Sequence, residues 1–101
     1  MNAKEEFLEH TEDLDVYCAI IYQETVYRKK INECKLKPMF SQEEYEEFIE
    51  KLDLDYHEGY GHQELFGIIW YTDGTWSSRC VYDGSEEWGY MSCPEIPMDL
   101  L

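Results

Sequence analysis

The side chains best able to do chemistry here, by number, are carboxylates. Glu43, Glu46, Glu47 and Glu50, then Asp53, Asp55 and Glu58, form the densest charge in the chain. Paired carboxylates can act as a general acid and base. With 23 acidic residues among 101, however, pairing carries little information. Their spacing points to electrostatic work instead. Helical positions three and four apart hold Cβ atoms about 5–6 Å from one another, on the order of the phosphate spacing along a nucleic acid. A ridge of this kind suits a basic protein groove built for DNA or RNA. These seven residues are the candidate contacts to a partner protein; the plainer reading is a solvated helix face.

Other chemistries are poorly supplied. Cys18, Cys34, Cys80 and Cys93 contain no C-x-x-C pair, so a zinc site is not expected. His57 and His62 flank Gly59 and Gly61, which describes a loop and not a metal-binding helix face. Cys18 lies in an apolar run and is expected to be a buried thiol. Ser77, Ser78, Ser85 and Ser92 have no histidine near them in sequence. The turns at Asp73-Gly74 and Asp83-Gly84 lack the alternating oxygen ligands of a calcium loop. No nucleophile elbow, P-loop or dinucleotide fingerprint is present. The chain therefore reads as a binding protein and not an enzyme, with no catalytic residue, no metal and no cofactor assigned.

Charge sharpens that reading. The net charge is −15, from 8 basic and 23 acidic residues. Residues 24–37 stand apart at net +3, with Arg28, Lys29, Lys30, Lys35 and Lys37. Such an acidic chain disfavours direct nucleic-acid binding, which needs a basic footprint, and favours a basic protein partner. No apolar stretch approaches the roughly 20 residues of a membrane span. The first residues carry no basic-then-apolar leader. No membrane is expected, and the expected location is cytoplasmic.

The elements that must position these residues are legible in part. Residues 2–10 read as a helix capped by Asn2, with Glu5 three residues on and Phe7 and Leu8 toward the core. Residues 15–23 (DVYCAIIYQ) read as an interior strand buried on both faces. Residues 24–37 stay ambiguous. Residues 41–52 are the strongest helix: Ser41 and Glu44 make a capping box, and Tyr45, Phe48, Ile49 and Leu52 make one apolar stripe. Residues 53–56 alternate like a short strand. Residues 65–71, 76–82 and 87–93 follow as strands, with Asp-Gly turns between them. The expected fold is a single α+β domain: an antiparallel sheet of about four to five strands, with one or two helices packed on one face. The other face is left to solvent or a partner. Trp70, Tyr71, Trp76, Tyr82, Trp88 and Tyr90 make the meander aromatic, mostly for packing.

The run W-x-x-DGTW, then YDGSE-x-W, then CPEIP within residues 63–97 resembles a class of small uncharacterised phage and mobile-element proteins. The helix-like SQEEYEEFIEKLD before it shares the likeness. The resemblance implies no catalytic or ligand residue. In size and acidity the chain is also similar to phage inhibitors of bacterial defence, the anti-CRISPR and anti-restriction proteins, which often mimic nucleic acids. The expected function is inhibition: the acidic ridge occupies the nucleic-acid groove of a host defence protein. The alternative is a non-catalytic structural or regulatory interaction module, a homodimer among its forms, with the charge serving solubility.

Overall fold

The computed structural model describes residues 2–25, 27–56, 63–82, 85–92 and 99, with the side chain of Tyr82 excepted. The chain runs α1 (Ala3–His10), β1 (Val16–Glu24), β2 (Lys30–Leu36), α2 (Gln42–Lys51), β3 (Leu65–Tyr71), β4 (Trp76–Tyr82) and β5 (Ser85–Met91). The five strands form one sheet in the order β2-β1-β3-β4-β5, and every neighbouring pair is antiparallel. This is the α+β architecture that the sequence leads one to expect.

Local chemistry sets the helices. Asn2 caps α1, its Oδ1 accepting from Glu5 N at 3.0 Å. Ser41 caps α2 through both halves of a capping box: Glu44 N donates to Ser41 Oγ at 3.1 Å, and Ser41 N donates to Glu44 Oε1 at 3.3 Å. Each cap satisfies a helix amide that has no intrahelical partner. Phe7 and Phe48 meet edge-to-face at 5.4 Å between ring centroids, so α1 and α2 lie beside each other on one face of the sheet. Beneath them the core gathers Ala19, Ile21, Cys34, Leu36, Leu52, Leu65, Ile69 and Tyr71.

Several expectations are corrected. Leu8 does not face the core; it is 40% exposed, while Phe7 is fully buried. Adjacent helix positions point about 100° apart, and here Phe7 takes the direction of the sheet while Leu8 turns toward solvent. β1 is interior but covered by helices on one face alone, since Ala19 and Ile21 are buried and Ile20 and Tyr22 only half-buried. Cys18 shares that second face and is half-buried; the buried thiol is Cys34. Residues 53–56 form no strand, only a single bridge between Asn2 and Asp55. The last strand spans Ser85–Met91, and Cys93 and the Asp83-Gly84 turn lie outside the described residues.

The ambiguous stretch, residues 24–37, contains β2. Its register against β1 shifts between Ile21 and Gln23. Asn32 takes a left-handed conformation there (φ 51), and its Nδ2 donates to Gln23 Oε1 at 2.6 Å. Asn tolerates this region better than most residues, and the extra residue makes a bulge. In β3, Gly67 allows a close approach: a Cβ there would lie 2.6 Å from Ile20 O. The β3–β4 hairpin closes with Tyr71 N donating to Thr75 O at 2.9 Å, and Gly74 supplies the positive φ of 88.

Candidate functional site: an acidic two-helix face over a buried arginine

The predicted ridge exists as an exposed surface. Glu43, Glu46, Glu47 and Glu50 all stand exposed on α2, opposite the stripe that buries Phe48 and Leu52 and half-buries Tyr45 and Ile49. α1, which touches α2 through Phe7 and Phe48, carries exposed acids of its own. Glu5, Glu9, Glu12 and Asp13 are exposed along α1 and just beyond it. The helices contribute only Lys4 and Lys51 as basic side chains.

Asp53 and Asp55 are exposed and already engaged. Asn2 Nδ2 donates to Asp53 Oδ1 at 3.0 Å and to Asp55 Oδ1 at 3.0 Å. Together with its bond to Glu5 N, this makes Asn2 the link between the start of α1 and the segment after α2. These two carboxylates help fix the helix pair. Glu58 lies outside the described residues.

The basic stretch is partly self-neutralised. Lys30 and Lys35 pair with Glu33 of their own strand at 3.0 and 3.1 Å, which raises the Lys30 ammonium and lowers the Glu33 carboxyl through their hydrogen bond. Lys35 and Lys37 also line a cleft with Glu44 and Glu47 between β2 and α2, so some of the acidic face is offset there.

Against α1 lies a network that sequence reasoning missed. The Arg79 side chain is 1% exposed and sits between two carboxylates. Its Nη1 donates to Glu6 Oε2 at 2.6 Å, and its Nη2 to Tyr56 Oη at 2.9 Å and Glu86 Oε1 at 3.4 Å. The guanidinium also lies 5.2 Å from the Trp88 ring. Burial opposes its charge, but the hydrogen bonds and charges of Glu6 and Tyr56 together hold Arg79 above its ordinary value. Tyr56, which donates to Glu6 Oε1, is pushed up by burial and then by that acceptor. Glu86 accepts from the main-chain amides of Glu64 and Leu65, each at 2.9 Å. It serves where β3 and β4 have ceased to pair, since their ladder covers only residues 68–70 against 76–78. A buried charge persists only when it is paired and hydrogen-bonded; both Nη atoms are so held here, while Arg79 Nε has no acceptor among the described residues. The one sequence signal was a lone cation, Arg79, against the six acids of residues 65–101.

Beside it, His10 Nε2 lies 2.8 Å from Ser77 Oγ, and Ser77 Oγ lies 2.6 Å from Tyr71 Oη. The fold thus joins a serine and a histidine that are 67 residues apart. Ser77 has no exposed surface, so no substrate carbonyl can reach its oxygen without unfolding. This chain of hydroxyl and imidazole fastens α1 to the sheet. Burial, and then the Arg79 charge, lower His10 below its ordinary value, with Glu6 opposing.

Compared with known protein families, curated proteins and solved structures, this chain has no match.

The opposite face of the sheet carries no helix among the described residues. Ile20 and Tyr22 of β1, Phe66, Ile68 and Trp70 of β3, and Trp76 of β4 share it by register. Tyr22 and Phe66 stack at 5.6 Å, which leaves each half-buried, and Trp70 is 39% exposed. Tyr71, the next residue, is 4% exposed on the helix side, as strand alternation requires. Among the described residues, no helix is long and apolar enough to cross a membrane, and no group of three or more His, Cys, Asp or Glu converges to hold a metal.

Proposed function

We propose that this protein is an acidic docking protein whose two-helix face occupies a basic, nucleic-acid-binding groove of a partner. The observation that carries the reading is the juxtaposition of α1 and α2 through Phe7 and Phe48. Glu5, Glu9 and Glu12 are exposed on or just beyond α1, and Glu43, Glu46, Glu47 and Glu50 on α2. Repeated carboxylates across two helices speed encounter with a basic groove and make association salt-sensitive. The resemblance to phage and mobile-element proteins makes a host defence protein that handles nucleic acid the partner to try first, met in the host cytoplasm. In this reading the protein inhibits by occupancy and needs neither catalysis nor cofactor.

The test is capture of host proteins on tagged protein at low and high salt, alongside the double variant Glu46→Lys/Glu50→Lys. Support would be one nucleic-acid-handling protein that is released by salt or by its own nucleic acid, and lost with the variant. Unchanged capture by the variant would exclude α2 as the contact.

A second reading rests on the helix-free sheet face. Its half-exposed Trp70, Phe66 and Tyr22 are ring types that anchor protein interfaces. A salt-resistant dimer in native mass measurement, lost in Trp70→Ser, would favour that reading and leave the charge to solubility.

A further inference from the structure

The sheet has two edges, and they are built differently. At one, β2 carries Lys30 and Lys35 and the Asn32 bulge, devices that blunt an edge against added strands. At the other, β5 has no lysine, no proline and no bulge. It pairs with β4 in unbroken register from Tyr82↔Ser85 to Trp76↔Met91. Its far side makes no main-chain hydrogen bond among the described residues. A regular edge of this length, unpaired among the described residues, is a template for another strand.

Charge and space around this edge indicate what it would take. A cleft of about 410 Å³ runs between α1 and β5, walled by Glu6, Glu9 and His10 on one side and by Ser85, Glu87 and Trp88 on the other. Arg79 offsets Glu6 and Glu86. Glu9 and Glu87 are exposed and have no cation within ion-pair distance among the described residues. Glu87 pairs by register with Cys80, so its side chain belongs to the helix-free face, while Glu9 stands on the helix side. Carboxylates therefore flank the edge on both faces of the sheet. Trp88 is 8% exposed, and its Nε1–H finds no acceptor among the described residues, although buried donors are nearly always paired.

We propose that β5 is a docking edge for an extended, basic segment of a partner protein. The segment adds as a sixth strand through main-chain bonds, and its cationic side chains alternate toward Glu9 and Glu87. The acidic-docking reading supplies the sign of the partner's charge; the edge adds main-chain recognition, which charge alone lacks.

The test uses the full chain labelled with ¹⁵N and two synthetic peptides of alternating lysine and threonine. In the second peptide every internal main-chain nitrogen is methylated, which keeps the charge and side chains but removes the strand donors. The unmodified peptide should shift the amide resonances of Ser85–Met91 and slow exchange of alternate amides there. The methylated peptide should bind about tenfold more weakly or worse, as expected for two or three lost main-chain bonds. Glu9→Gln should weaken the unmodified peptide severalfold. Equal affinities of the two peptides would overturn the edge while leaving the acidic face standing. Shifts confined to α1 and α2, or to β2, would overturn it too, as would a chain that already dimerises through β5 without peptide. If β5 takes the peptide but Glu46→Lys/Glu50→Lys leaves partner capture intact, the helix-face reading alone fails.

Discussion

Arg79 Nη1 lies 2.6 Å from Glu6 Oε2, and this contact ties the first helix of the chain to the fourth strand of the sheet. The same guanidinium reaches Tyr56 and Glu86. Four segments distant in sequence therefore depend on one buried cation, in a protein whose other basic side chains lie at the surface.

Replacing Arg79 by Met should be among the most damaging single changes. It removes the cation and leaves Glu6 and Glu86 facing each other with little solvent. Breaking a buried pair from one side typically costs about 3–5 kcal/mol. Denaturant unfolding should show a loss of that order. Arg79→Lys should recover only part of it, because an ammonium cannot span three acceptors as a planar fork does. A loss under about 1 kcal/mol would mean that water already reaches the network.

Stability should fall as pH drops below the ordinary histidine range. Folded His10 sits below its ordinary value near 6.5. As pH falls through that value the unfolded chain takes up the proton first, and unfolding is favoured until the folded imidazole also protonates. Glu6 faces this imidazole and opposes the effect, while Arg79 reinforces it. His10→Asn should flatten this part of the stability curve. At lower pH a second loss is expected from Glu33, whose carboxyl lies below its usual range and protonates more readily in the unfolded chain. An unchanged slope in His10→Asn would dissociate His10 from the acid sensitivity.

Gly67→Ala should destabilise the sheet by about 1–3 kcal/mol, the usual range for overpacking. The new Cβ would meet Ile20 O, a main-chain atom of the neighbouring strand, at 2.6 Å. Gly89→Ala should be milder, because its Cβ would meet Cys80 Sγ at 3.2 Å and a side chain can give way. Thermal unfolding of the two variants should rank them in that order.

Thiol reactivity should separate by face. Cys34 is 2% exposed, and burial raises its thiol. Cys18 and Cys80 are half-buried on the helix-free face. Under native conditions alkylation followed by peptide mapping should modify Cys80 and Cys18 well before Cys34. Early labelling of Cys34 would indicate that β2 opens readily at its bulge.

Local rules carried much of the fold. The capping box at Ser41 and Glu44, the stripe from Tyr45 to Leu52 and the Asp73-Gly74 turn act within a few residues of one another, where hydrogen bonding and periodicity decide the outcome. Residues 24–37 resisted for an equally physical reason. β2 is held by cross-strand pairing and by a left-handed Asn32, and neither leaves an alternating apolar pattern. The exposed acids of α2 were legible because a helix stripe defines its own opposite face.

What the sequence determined by itself is composition and local form: a large negative charge, two capped helices, aromatic strands and the turns between them. Tertiary structure decided which charges face water. It buried Arg79 between Glu6 and Glu86, set His10 against Ser77, and brought Phe7 of α1 against Phe48 of α2. Apart from Arg79 and Glu86, these pairings join residues dozens of positions apart. They follow from which faces must be buried together, and no local pattern encodes that choice.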